Sequence, residues 1–84
     1  MVRSKHFSMM LQERGIESDW VDLARERPDR VENHDDGTCH YLKKIPDRGD
    51  RWLRVVVNVL VDPERAVTAF FDRRLKRKSY ENKS

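Results

Sequence analysis

The residues from Trp52 to Val61 read W-L-R-V-V-V-N-V-L-V, and a run so rich in β-branched side chains is accommodated best by an extended strand. Alternation then sets Leu53, Val55, Val57, Val59 and Val61 on one face and Trp52, Arg54, Val56, Asn58 and Leu60 on the other. Apolar residues on both sides mark a central strand, covered on at least one face. The whole chain has 84 residues, too few to divide its apolar side chains between two cores, so one sheet and one covering layer make a single domain.

The flanking segments supply that layer and the neighbouring strands. Phe7, Met10, Leu11 and Arg14 fall at helical spacing behind Ser4, a ready cap, and Gly15 ends the turn. Glu17, Ser18 and Asp19 lead a second helix whose stripe is Trp20, Leu23, Ala24 and Arg27, closed by Pro28. Spacing then changes to alternation. Arg30 to Asn33 reads as a short strand, Asp35-Asp36-Gly37 as a turn, and Thr38 to Ile45 as a second strand. Pro46 to Asp50 turns the chain into the valine-rich strand, and Asp62-Pro63-Glu64 connects it to a last strand, Ala66 to Asp72. The expected fold is α+β: two N-terminal helices packed on one face of a three- to four-stranded, mostly antiparallel sheet. Residues 1–72 form the domain, and 73–84 are a basic tail, helical or irregular.

Charge separates along the chain. Residues 1–50 carry nine Lys/Arg against eleven Asp/Glu, whereas residues 51–84 carry nine against four. The excess lies in Arg73, Arg74, Lys76, Arg77 and Lys78, a run that attracts phosphates or an acidic protein, or serves as a solvated tail. The one cysteine, Cys39, has no internal partner, which suits a reducing, cytoplasmic setting. Cys39 and His40 are adjacent and His34 is near, yet strand neighbours point to opposite faces and no paired ligand spacing is present, so neither a metal nor a cofactor is expected. No apolar run is long enough for a membrane span, and the start lacks the apolar core of a secretory signal.

Several short motifs resemble a family of small uncharacterised bacterial domains, themselves similar to RelE- and BrnT-type toxins. They are His6 with Arg14-Gly15-Ile16, Pro28, the strand from Tyr41 to Lys43, Leu53 and Arg54 at the entry to the valine-rich strand, and Val67-Thr68-Ala69-Phe70. The resemblance implies a RelE-like arrangement of the elements above. The family's last strand commonly reads Val-Thr-Ala-Tyr; Phe70 replaces that tyrosine, and a phenolic proton donor is lost with it.

The resemblance also implies a function: a toxin-like RNA-binding domain or a metal-independent endoribonuclease. Driving a ribose 2′-hydroxyl onto the adjacent phosphate needs a base, an acid and cations around the phosphorane. On this reading His6 is the acid or base, Arg14 and Arg54 hold phosphate oxygens, Lys43 adds a mobile charge, and Tyr41 and Thr68 orient the nucleophile or base. Arg73, Arg74, Lys76, Arg77, Lys78 and Tyr80 resemble the basic, aromatic-ended terminus of such toxins and would bind RNA. Expected partners are RNA, an acidic antitoxin-like protein that covers the basic face, and a second copy joined through an exposed strand edge. Each residue also has a plainer role: His6 as a helix cap, Arg14 paired with Glu13 or Glu17, Trp20 and Trp52 in or beside the core. The contrasting reading is a non-enzymatic interaction domain whose basic C-terminal region docks an acidic protein, or a catalytically dead relative that keeps only the fold.

Overall fold

A computed structural model describes residues 1–75, two helices followed by four strands. Helix α1, Lys5–Glu13, begins at Ser4, whose hydroxyl accepts a hydrogen bond from the Phe7 amide at 3.0 Å. It ends at Gly15, where φ is 65°. There the Gly15 amide bonds Gln12 O at 3.2 Å and the Ile16 amide bonds Leu11 O at 2.9 Å, a double closure that requires a left-handed residue after the last helical one. The turn delivers Ile16 into the core.

Helix α2, Ser18–Glu26, buries Val21 and Ala24. The stripe expected from sequence is rotated: Val21 is the deepest residue, Trp20 is half-buried, and Leu23 and Arg27 are exposed. The Trp20 indole lies at the rim, edge-on to Phe71 with ring centroids 6.2 Å apart and Arg48 above it. The smaller Val21 fits the space between helix and sheet.

The strands are β1 (Arg30–Asn33), β2 (Thr38–Ile45), β3 (Arg51–Asn58) and β4 (Arg65–Phe71). They form one sheet in the order β1-β2-β3-β4, every neighbouring pair antiparallel. Strand β3 stops at Asn58, short of the expected Val61. Asn58 stands opposite both Thr38, the first residue of β2, and Arg65, the first of β4, so no strand continues beside the chain beyond it, and the Val59 amide bonds the β1–β2 turn at Gly37 O, 3.1 Å away. The Asn58 side-chain oxygen accepts from the Leu60 amide at 3.0 Å and turns the chain away; Val59, Leu60 and Val61 are exposed.

A second departure lies in β4, where strict alternation would place Ala66 and Ala69 on opposite faces. Val56 pairs with Thr68 but Val57 pairs with Ala66, and the extra residue, Val67, is a bulge. Both alanines therefore reach the core. Along the outer edge of β4, Val2 forms a parallel bridge to Arg65, with the Ala66 amide on Val2 O at 2.9 Å, which shields part of that edge.

The helices cover one face of the sheet. Phe7, Leu11, Ile16, Val21 and Ala24 pack on Leu53, Val55 and Val57 of β3, with Ile45, Ala66 and Ala69 beside them. By alternation Arg54 and Val56 face the other way. Among the described residues no helix is long and apolar enough to cross a membrane. Because Leu53 is fully buried and Val67 is 50% exposed, Leu53→Ala should cost about 2–5 kcal/mol and Val67→Ala under about 0.5 kcal/mol. Urea denaturation of the two variants checks this; similar midpoints would mean that the core is not centred on β3.

Candidate functional site

The face away from the helices is where polar side chains converge. Even-numbered residues of β1, β2 and β3 project there, and the register sets Glu32 beside His40 and Leu42 beside Arg54. At its centre is Arg54, 5% exposed. A buried guanidinium is tolerated only when its donors are met by acceptors, and here each of the other three strands contributes one. Arg54 Nε donates to Asp72 just past β4 at 2.8 Å, and Nη1 donates to Glu32 of β1 and to His40 Nδ1 of β2, both at 2.8 Å. Arg74 closes the far side with bonds of 2.8 and 3.0 Å to the Asp72 carboxylate while its own side chain is 76% exposed.

This geometry selects the protonation states. Arg74, and then Arg54, hold the Asp72 carboxyl well below the usual carboxylate range. Hydrogen bonds from Arg54 first, and His34 second, bring Glu32 down to about 2. Burial, reinforced by the nearby His34 and Arg54 charges, lowers the pKa of His40, and a guanidinium can only donate. His40 Nδ1 is therefore the bare nitrogen and Nε2 carries the proton. Nε2 lies 3.1 Å from Thr38 Oγ1, which in turn donates to Asp36 at 2.6 Å. Donors and acceptors alternate without conflict from Arg54 to the β1–β2 turn.

His34 lies on the outer side of this network. Its ring stacks on His40 with centroids 3.7 Å apart, and Nε2 is 3.1 Å from Glu32 Oε1. Among the described residues no hydrogen bond engages its Nδ1. A carboxylate behind one imidazole nitrogen fixes the tautomer and leaves the other nitrogen basic. Beside the pair stands Arg30, 3.5 Å from Glu32; further along the same face Lys44 lies over the Trp52 ring at 5.4 Å.

The residues singled out from sequence do not gather in one hollow. His6 is exposed on α1. Arg14 does reach Thr68, but it ties α1 to β4: its guanidinium donates to Thr68 Oγ1 at 3.2 Å and to Ala69 O at 2.8 Å, instead of pairing with Glu13 or Glu17. Tyr41 faces the helices beneath Arg25, and burial pushes its hydroxyl up to about 12, so it is a poor proton carrier at neutral pH. Lys43 pairs with Asp29 at 3.5 Å. Arg54 is where expected on β3 but is engaged by carboxylates. Arg73 is exposed and Arg74 is bound to Asp72; Lys76, Arg77, Lys78 and Tyr80 lie outside the described residues. Reading the sequence missed Glu32 and Asp72, and it named His34 and His40 only to set them aside as metal ligands. The signal for Glu32 and His34 was the Glu-x-His spacing before a turn, which becomes informative once the register of the hairpin brings His40 alongside.

Comparison with known proteins adds one match: a family model described as a domain of unknown function, DUF4258, aligns with residues 3–71. No curated protein and no solved structure matches.

The four-strand network has an acid signature. Glu32 is depressed from the usual 4.5 to about 2, so its contribution to stability is complete above the unfolded value and is lost as pH falls through the folded one. Asp72 acts in the same direction. Denaturant midpoints measured from pH 5 to pH 2 should fall, and fall less steeply in Glu32→Gln. Equal slopes in the two proteins would remove Glu32 from the network.

Proposed function

We propose that this chain, which belongs to the DUF4258 family, is a cytoplasmic, toxin-like RNA-binding domain that cleaves RNA without a metal, and that it does so on the face of its sheet opposite α1 and α2. The observation that carries this reading is the Glu32–His34 pair, a carboxylate and an imidazole at 3.1 Å, joined through Arg54 and Asp72 to the exposed guanidinium of Arg74. Charge is distributed to match. That face presents Arg30, Lys44, Arg54 and Arg74 against Glu32 and Asp72, whereas residues 5–26, the helical layer, carry three Lys/Arg against five Asp/Glu. A polyanion is drawn to the former and repelled by the latter.

In the proposed reaction His34 Nδ1 takes the proton of a ribose 2′-hydroxyl, whose oxygen attacks the neighbouring phosphorus. The bond to the 5′ oxygen breaks, solvent returns a proton to that oxygen, and a 2′,3′-cyclic phosphate and a 5′-hydroxyl end result. Arg74 moves from Asp72 to the non-bridging phosphate oxygens with little penalty, since Asp72 keeps Arg54. Arg54 supports the site through Glu32 and does not itself meet the phosphate. An acidic antitoxin-like protein would occupy the same cationic face and so block it.

The test is incubation of the purified chain with single-stranded RNA at low salt in the presence of a chelator. Wild type and His6→Ala should both give cyclic-phosphate ends, His34→Ala should bind RNA but cleave about 10²–10⁴-fold more slowly, and Arg74→Ala should weaken binding of all sequences alike. Cleavage by His34→Ala at the wild-type rate defeats the catalytic assignment. RNA neither bound nor cut by wild type leaves the non-enzymatic interaction domain as the better reading.

A further inference from the structure

We propose that Glu32, His34 and His40 form a three-donor site for a divalent transition-metal ion of the Zn²⁺ class. One donor atom from each lies within 4.8 Å of the other two. The hairpin produces this cluster by simple geometry. Glu32 and His34 are two residues apart and share a face at the end of β1, and the pairing of Glu32 with His40 brings the third donor alongside from β2.

The donor set selects the ion. Two imidazoles and one carboxylate suit Zn²⁺ and its neighbours, whereas Mg²⁺ and Ca²⁺ require mainly oxygen ligands. With bonds of roughly 2.0–2.2 Å, tetrahedral donors are about 3.4 Å apart, so no separation need close by more than about 1.4 Å. The movement falls on His34. Its ring plane lies within 15° of that of His40, and one ring must turn for lone pairs from both to converge on one ion. His34 is exposed and next to the Asp35–Gly37 turn, so its side chain can turn by giving up its stacking on His40. The face is open to solvent there, and water completes the coordination.

The position now holds a cation of another kind. Arg54 Nη1 is 2.8 Å from both Glu32 and His40, so metal and guanidinium compete for the same acceptors. Arg54 has a second anchor: Nε stays on Asp72 at 2.8 Å, and release of the exposed Arg74 frees further Asp72 valence for it. The competition makes the metal exchangeable. If the catalytic assignment above holds, on which this one consequence rests, the ion also takes the imidazole needed as base, and loading switches cleavage off.

Calorimetric titration of Zn²⁺ into the full chain tests the site directly. One ion per chain should bind, His34→Ala should weaken binding roughly tenfold or more, and His6→Ala should leave it unchanged. Side-chain ¹⁵N spectra should show the His34 and His40 resonances shifting together and the His6 resonance staying in place. Absence of binding, or an isotherm indifferent to His34→Ala, overturns the site. RNA cleavage is recorded separately with chelator and with Zn²⁺: a normal isotherm without cleavage under either condition sinks the nuclease reading and leaves the metal site intact.

Discussion

The hydrogen-bonded neutralisation of Arg54 organises half of this molecule. Its guanidinium is buried on the sheet face opposite α1 and α2, and its charge demands partners from every strand within reach. Glu32, His40 and Asp72 answer from β1, β2 and the end of β4. One side chain thereby links all four strands on this face. The same demand dictates the tautomer of His40, and the Glu32 carboxylate it anchors is the one that engages His34. The chemistry available on this face is thus a consequence of placing one cation in the middle strand.

The two faces of the sheet divide the work. Leu53, Val55 and Val57 carry the burial that stabilises the fold, under helices whose outer surfaces are mainly acidic. The opposite face buries Leu42 and Val56 and spends its polar side chains on ion pairs and hydrogen bonds. Buried ion pairs add little net stability compared with apolar packing, but they set position and protonation with a precision that packing lacks.

Most of the architecture was legible in the chain. The valine alternation, Ser4, Gly15, Pro28 and the Asp35–Gly37 turn are local signals, and each acts within a few residues of itself. What misled the reading was also local. Val59 to Val61 continue a strand-like pattern, but a strand needs partners, and both neighbours end opposite Asn58. The Val67 bulge and the rotation of α2 around Trp20 depend on how large and small side chains share one core, which periodicity does not measure. For the site the gap was wider. Arg14 resembled a phosphate ligand and instead ties α1 to the Ala69 carbonyl, 55 residues away.

The sequence alone determined the fold class, the order of the elements, the central strand and the presence of an arginine in it, because those follow from local propensity and alternation. Tertiary structure alone decided which groups that arginine meets, that His34 and His40 stack, and that Glu32 joins them. Hydrogen bonds and charges act over a few ångströms, and only the sheet register and the strand order bring residues 32, 40, 54 and 72 within that range.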